Sequence, residues 1–391
     1  MRPVHRLLVG HALASVAMSL PWPLLLVLVF ERHAGDLALG LTGAARMLPY
    51  VALSWLTGTL ADRFARDRIL MLTLVTRLAL LAALTVALAH GALVVAVVAA
   101  AGAVACGTPA YPALAAALPS ASSRVRRDTD VLVTVEVASF VVGPALGGLL
   151  LAPATRGYVG ALALAGTAAA LLVVRGVRLP APARGAVRPS ARAVLGAARR
   201  VGAVRRAVAV VAVLNGVLAA TGLALLSLAD AAWGRHGFGL ATGVLGFGAL
   251  AAPLLWWCGR SCASRTRLGL LAMAVALSAV PLAPEVLWAL PGLAVTGAAA
   301  VHVESAVTAT IQDAVPDGLR AGTLGLTDSV MVAAALLGSL AAPFLVSALG
   351  PVPLVVLLGL CCAAASVRPP AAPVAAARVL IPQQRRAGQR V

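Results

Sequence analysis

Several ionisable side chains of this sequence lie inside long apolar stretches, so their chemistry depends on what they meet there. A charged group in hydrocarbon is costly unless it is paired or faces water, and each such residue is therefore a candidate for binding a ligand or carrying a proton. The acids come first, because a carboxyl group can take up and release a proton. The candidates are Arg46, Arg77, Glu136, His302, Glu304 and Asp328.

A structural interpretation of each candidate also stays open. An acid near the end of an apolar helix can reach the membrane interface or pair with a loop arginine such as Arg124 or Arg320. Arg46 and Arg77 can pair within the protein or extend toward lipid headgroups. His302 can be a hydrogen-bonded packing residue rather than a proton carrier.

Small residues accompany two of the acids at helical spacing, which places each acid on a face suited to close helix packing. The companions of Glu136 are Phe140, Gly143 and Gly147, and those of Glu304 are Gly297, Ala300, Val301 and Thr308. His302 is two positions from Glu304 and is expected to point elsewhere. Glu136, Glu304 and Asp328 all fall in the half of their apolar stretch that we assign below to the cytoplasmic side.

The residue types exclude several kinds of catalysis. All 31 basic residues are arginine, so the chain has neither a complete P-loop nor a lysine for Schiff-base chemistry. The five cysteines lack the paired spacing of a metal site, and no HExxH, DDxxD or HxxxxD pattern occurs. We expect a protein that is not an enzyme and that has no cofactor and no metal site.

The composition is typical of a chain whose solvent is mostly lipid. Hydrophobic residues make up 61% of the 391 residues and charged residues 11%, whereas soluble domains have about half and about a quarter. A net charge of +18 is usual for nucleic-acid binders. The arginines instead follow the membrane pattern described below, so we expect no nucleic-acid partner.

Apolar runs of about the length that crosses a bilayer predict twelve transmembrane helices. The first is too long for the apolar core of a signal peptide. Prolines inside several runs predict kinks. The runs are 7–30, 38–58, 69–89, 91–118, 131–152, 157–174, 207–229, 239–258, 268–283, 286–311, 322–348 and 351–367.

The arginine distribution predicts the orientation of these helices, because positive charge favours the cytoplasmic side. One set of loops, with both termini, holds 26 of the 31 arginines, and the opposite loops hold only Arg32, Arg156 and Arg235. Both termini are therefore expected to be cytoplasmic in a multi-pass protein of a bacterial cytoplasmic membrane.

An Arg- and Pro-rich interruption divides the predicted helices six and six. The sequence predicts an N-terminal six-helix bundle over 1–174, a cytoplasmic linker over 175–206 and a C-terminal six-helix bundle over 207–367. Residues 368–391 are predicted to form a disordered basic cytoplasmic tail.

The loop after the second predicted helix reads Gly58-Thr-Leu-Ala-Asp62-Arg63-Phe-Ala-Arg66-Asp-Arg68-Ile-Leu70. It resembles the GxLADRxGRRxxL pattern of the major facilitator superfamily, with Ala65 in place of a glycine and Asp67 in place of a basic residue. The resemblance implies a fold of twelve transmembrane helices in two bundles. It also implies that Gly58, Asp62, Arg63, Arg66 and Arg68 control conformation, with Asp62 against helix eleven.

A second motif, Gly143-Pro144-Ala-Leu-Gly147-Gly148, lies in the fifth predicted helix. It resembles the end of the helix-five motif of exporters, although Ser139 stands where a glycine would complete the longer form. A helix that is only well packed and kinked is the competing interpretation. The halves also echo each other: residues 140–143 parallel 335–338, and 259–267 parallel 58–68 in degraded form.

The order of these motifs resembles the drug- and siderophore-exporter-like branch of the superfamily, including macrolide-efflux-like members. That resemblance implies a secondary active transporter that exports a small, partly apolar compound, works as a monomer and has protons as its candidate coupling ion. The fourth predicted helix lacks the arginine of proton-coupled antiporters, which argues against proton coupling. A metabolite importer of the same fold is the alternative, and an intramembrane enzyme or a non-transporting membrane protein is a remote one.

Overall fold

The protein is helical in the computed structural model, which describes residues 3–32, 35–151, 154–155, 157–179, 190–229, 233–255 and 261–370. Short 3-10 turns at Ala252–Leu255 and Val280–Leu282 extend two of the helices. The helices are α1 (Pro3–Ser19), α2 (Trp22–Glu31), α3 (Gly35–Arg63), α4 (Arg66–Ala89), α5 (Leu93–Gly107), α6 (Ala110–Ala121), α7 (Val125–Leu149), α8 (Tyr158–Val174), α9 (Ala191–Arg200), α10 (Gly202–Leu228), α11 (Gly234–Leu250), α12 (Cys262–Ala279), α13 (Val286–Ala314), α14 (Asp317–Leu349) and α15 (Pro351–Ser366).

Two of the predicted spans are each built from a pair of helices that are interrupted at proline. α1 and α2 meet at Pro21, and α5 and α6 meet at Pro109. Proline has no backbone N–H to donate to the preceding turn, so the helix breaks there. Pro144 and Pro343, in contrast, lie inside the continuous helices α7 and α14.

The described helices match the twelve predicted spans when each interrupted pair is taken as one span. Eight spans are both long and apolar enough to cross a bilayer. Three more are apolar but shorter, and α3, with 29 residues, is the remaining one. The predicted all-helical membrane fold is therefore confirmed.

Large apolar side chains cover the outside of the helices. Trp288 of α13 is 74% exposed and Phe344 of α14 is 76% exposed. A soluble protein rarely exposes apolar surface so extensively, whereas in a bilayer this surface contacts lipid tails.

The chain divides into two compact units, and each unit includes a short piece of a helix whose remainder is assigned to the other unit. The first unit comprises residues 1–128, 135–191 and 317–329, and the second comprises 129–134, 192–316 and 330–391. The start of α14 therefore belongs to the first unit, and a piece of α7 belongs to the second. The predicted linker contains the ten-residue helix α9, and the predicted tail from 371 onward lies outside the described residues.

Each unit is held together by a few extensive helix contacts. In the first unit α1 packs on α8, and α4 packs on α5 and α8. In the second unit α13 packs on α11 and α12, and α15 packs on α10 and α12. The buried layers are mainly alanine, leucine and valine, which allow close approach without strain.

The glycines of the helix-five motif determine how α7 packs within the first unit. A Cβ atom on Gly143 would collide with Ser19 and the carbonyl of Val16, and one on Gly147 would collide with the carbonyl of Leu20. Gly148, the next residue, faces open space. Two of the three motif glycines are thus needed for contact with the first span.

The second unit repeats this arrangement. Gly338 of α14 packs so closely on α10 that a Cβ atom would collide with the backbone of Gly216. Gly338 is the residue that parallels Gly143 in the sequence comparison of the two halves. Both glycines make a close helix contact, Gly143 with the first span and Gly338 with α10, so the sequence parallel has a structural counterpart.

We expect Gly147→Leu to destabilise the first unit, because the side chain would have to displace the backbone of Leu20. Overpacking of this kind costs about 1–3 kcal/mol or more. Thermal unfolding of the purified protein in detergent should show a lower midpoint for this variant. Gly148→Leu is the matched control and should unfold as wild type does; equal midpoints for the two variants would contradict the contact.

Candidate functional site

One face of α3 carries a polar or glycine residue at every fourth position. Residues four apart lie on the same ridge of a helix, so these positions form one continuous contact line. Each of them meets a neighbouring segment of the first unit, as described below. The line consists of Arg46, Tyr50, Ser54, Gly58 and Asp62.

Two glycines bring α3 against the start of α14. A Cβ atom on Gly58 would collide with the carbonyl of Ala321, and one on Gly325 would collide with the carbonyl of Ser54. The contact therefore needs a glycine on both helices, and it brings the backbones close enough for short side chains to reach across.

Asp62 uses this proximity to bind the backbone of α14. Its carboxylate accepts hydrogen bonds from the N–H groups of Ala321, at 3.0 Å, and Gly322, at 2.8 Å. Asp62 is only 3% exposed and lies beyond the predicted apolar span 38–58. Burial raises the pKa of its carboxyl group to about 6, while these two N–H groups and Arg66 act in the opposite direction.

Arg66 binds the same end of α14 from the neighbouring helix α4. Its guanidinium donates to the carbonyl of Asp317 at 3.1 Å and forms an ion pair with the Asp317 carboxylate at 3.0 Å. Arg320 pairs with that carboxylate at 2.9 Å. Asp62 and Arg66 together therefore form a clamp on the first two turns of α14.

The other two arginines of the loop motif do not belong to this clamp. Arg63 and Arg68 are exposed, and the neighbouring Asp67 accepts a hydrogen bond from the backbone N–H of Arg68. The motif is thus divided into a buried pair that contacts α14 and an exposed pair at the surface.

Further along α3, Ser54 contacts one of the candidate acids. The Ser54 hydroxyl donates to the carboxylate of Asp328 at 2.5 Å, and both residues are buried. Beside them, Ser329 donates to the carbonyl of Tyr50 at 2.9 Å. Asp328 thus has a neutral partner on α3, rather than the loop arginine that the structural interpretation suggested.

Glu136 is paired with a histidine from the first helix. His11 Nε2 and a carboxylate oxygen of Glu136 are 2.7 Å apart, and each residue is 7% exposed. Tyr111 lies beside the imidazole, with ring centroids 6.4 Å apart. Two groups that can each hold a proton therefore face each other in an apolar span.

Arg77 is buried near this pair and is accommodated by a glycine. It is 3% exposed, and a Cβ atom at Gly107 would occupy the place of its guanidinium. His11, Thr73 and Arg77 line a cavity of about 20 Å³, which is room for one water molecule. The Nε atom of Arg77 is buried without a hydrogen-bond partner among the described residues.

Arg46 packs against the face of an aromatic ring. Its guanidinium carbon is 5.4 Å from the centroid of Phe140, whose ring in turn lies 6.0 Å from that of Tyr50. Tyr50 is within electrostatic reach of Arg46, Arg77, Glu136 and Asp328. The first unit therefore gathers four of the six predicted candidates around one buried tyrosine.

The second unit has a polar cluster of its own. Arg265, at the start of α12, donates to Asp130 at 2.7 Å and lies 3.4 Å from Nδ1 of His302. Thr129 donates to Gln312 at 3.1 Å nearby. Glu304 is buried on the same helix as His302.

The sequence analysis missed three residues of these clusters: His11, Asp130 and Arg265. His11 lies within the first predicted span, so an inventory of every ionisable residue in the spans would have found it. Arg265 lies in the degraded loop that parallels 58–68, and its position corresponds to that of Arg66. No feature of the sequence around Asp130 indicates that it pairs with an arginine.

The fold and these clusters define a helical membrane protein with polar groups buried in its spans, as transporters have. A family model described as "Major Facilitator Superfamily" matches residues 7–339, and the chain therefore belongs to this superfamily. It is a multi-pass secondary transporter for small molecules and is not an enzyme. A search of curated protein sequences finds no significant match.

Solved transporter structures share the fold over almost the whole chain. The human organic anion transporter MFSD10 matches with a TM-score of 0.76 and 17% identity, covering 93% of this chain and 98% of that one. The E. coli fucose:proton symporter FucP matches with a TM-score of 0.76 and 15% identity, covering 97% and 98%. A bacterial homologue of the iron transporter ferroportin matches with a TM-score of 0.73 and 16% identity, covering 94% and 98%. At these identities the likeness concerns the fold alone.

We expect Asp62→Asn to loosen the start of α14, because one of two backbone N–H groups would lose its carboxylate acceptor. A hydrogen bond to a charged group contributes about 1.5–3 kcal/mol, so amide exchange over 317–329 should accelerate about tenfold or more. Hydrogen–deuterium exchange with mass spectrometry measures this rate. Asp67→Asn is the matched control and should leave it unchanged; wild-type exchange in Asp62→Asn would contradict the clamp.

Proposed function

We propose that this transporter exports a small, partly apolar compound, such as a drug, secondary metabolite or siderophore, from a bacterial cytoplasm by alternating access. The helix-five motif supports this, because Gly143 and Gly147 make the tight contact with the first span that an exporter-like motif would need. We place both termini in the cytoplasm on the strength of the arginine distribution.

The His11–Glu136 pair is the observation that carries the mechanism. A coupling group must exchange a proton with water in one state and be shielded in another. His11 and Glu136 are in contact and buried, and each can accept or release a proton. We assign proton coupling to this pair, with Glu136 as the group that alternates, and keep Glu304 as the second candidate.

The clamp on α14 is assigned a different task. Asp62 and Arg66 bind α14 through its backbone and through Asp317, so these contacts persist only while the start of α14 stays beside α3. Alternating access requires two end states of comparable free energy. We infer that the clamp stabilises one of them.

The remaining candidates are assigned supporting roles near these sites. Arg77 lines the small cavity beside His11, the partner of Glu136. Asp328 changes its contact with Ser54 if α14 leaves α3. In the second unit Arg265 binds Asp130, and His302 lies 3.4 Å from Arg265.

A transport screen in everted vesicles tests the direction. The vesicles would be energised with a pH gradient and offered ethidium, a macrolide and 1-naphthoate, as cationic, neutral and anionic probes. Accumulation of at least one probe inside the vesicles supports export. Accumulation only in right-side-out vesicles would show an importer of the same fold.

We expect Glu136→Gln to reduce gradient-driven uphill transport at least tenfold while downhill exchange of the same probe continues. The glutamine keeps the shape and a hydrogen bond to His11 but cannot take up a proton. His90→Asn is the control, since His90 is exposed and bonds only the carbonyl of Val86. Uphill transport at the wild-type rate, in vesicles with a verified pH gradient, would show that the proton binds elsewhere.

A further inference from the structure

Arg46 is a partly buried cation of the first unit whose described neighbour is an aromatic ring. Among the described residues it has no ion-pair partner and no hydrogen bond, and its Nη2 atom is buried without an acceptor. Its contact is the face of Phe140, which attracts a cation but accepts little of its hydrogen-bonding capacity. An arginine in a membrane span normally has a partner.

The nearby acids are already engaged. Glu136 is bonded to His11 at 2.7 Å, and Asp328 accepts the hydroxyl of Ser54 at 2.5 Å. Both lie within electrostatic reach of Tyr50, as does Arg46 itself, yet neither comes within ion-pair distance of Arg46. The described residues therefore provide no direct counter-ion for Arg46.

Arg46 as a whole is only partly buried, although its Nη2 atom is enclosed. A planar guanidinium presents several N–H donors in a fork that matches a carboxylate. The partly buried Phe140 ring lies beneath the guanidinium, and the buried Tyr50 ring lies 6.0 Å from that of Phe140. A charged fork beside two rings is suited to a molecule that is anionic at one end and aromatic at the other.

We propose that the transported compound is an organic anion whose carboxylate is bound by Arg46 and whose aromatic part packs on Phe140. This proposal rests on the proposed function and specifies its substrate class. Arg46 determines selection for charge and Phe140 determines selection for an aromatic group, so the two preferences are separable by mutation.

Ligand-induced stabilisation of the purified full-length protein tests this without a transport assay. Benzoate, 1-naphthoate and cyclohexanecarboxylate would be titrated against the corresponding amides, with the thermal midpoint as readout. Wild type should be stabilised by the aryl carboxylates at concentrations at least tenfold lower than by their amides. Equal stabilisation by acid and amide, or none by any acid, would overturn the proposal.

Variants then separate the two roles. Arg46→Gln should abolish the preference for acid over amide, and Arg46→Lys should retain it with weaker binding. Phe140→Leu should retain it but lose the preference for benzoate over cyclohexanecarboxylate. Arg199→Gln, an exposed residue of α9, should behave as wild type. An acid preference that persists in Arg46→Gln, or that disappears in a folded Arg46→Lys, would refute the assignment.

The binding test of the anion site and the vesicle test of export can fail independently of each other. Arg46-dependent binding of aryl carboxylates without their accumulation in everted vesicles would sustain the anion site and reject export. Export of ethidium or a macrolide with no acid preference in binding would sustain export and reject the anion site.

Discussion

The close approach of α3 and α14 at Gly58 and Gly325 is the contact on which the polar chemistry of the first unit depends. Asp62 has a short side chain and can reach backbone N–H groups on another helix only if the two backbones nearly touch. Gly58 permits this by leaving room for the carbonyl of Ala321. The same proximity brings Asp328 within reach of Ser54, so one pair of glycines positions two separate polar contacts.

Each unit contains an ion pair between an arginine and an aspartate that lie near the starts of two different helices. In the first unit Arg66, at the start of α4, binds Asp317 at the start of α14. In the second unit Arg265, near the start of α12, binds Asp130 near the start of α7. The two aspartates are not equivalent positions, because the register that pairs residues 140–143 with 335–338 places Asp130 opposite Gly325. The second pair has His302 as a titratable neighbour, where the first pair has Asp62, 3.6 Å from Arg66.

The sequence was sufficient for features that depend on local physics. The length and apolarity of the spans predict the helices, and prolines predict the breaks at Pro21 and Pro109. The loop motif predicts that Asp62 contacts helix eleven, because the residues match a known pattern. Only the last of these features concerns neighbouring helices, and it depends on the resemblance to a family pattern rather than on local physics.

Pairings between distant residues were not predictable in this way. His11 and Glu136 are 125 positions apart, and the close contact between them depends on how α7 packs against the first span. Glycines 143 and 147 permit that packing but do not specify which side chain faces the acid. For the same reason Asp130 gave no signal, since a single acid near a helix start is common at any membrane interface.

The type of partner decides what protonation of an acid would leave behind. Asp317 and Asp130, near helix ends, pair with Arg66 and Arg265, whereas Asp128, also near a helix start, accepts a hydrogen bond from Ser122. Acids further along the spans pair with histidine or serine, as Glu136 and Asp328 do. Arginine stays charged at any physiological pH, so protonating its partner would leave a cation unpaired and buried. Histidine can release its charge and serine has none. Protonation of Glu136 or Asp328 would therefore leave no ion-paired arginine behind, whereas protonation of Asp317 or Asp130 would leave one.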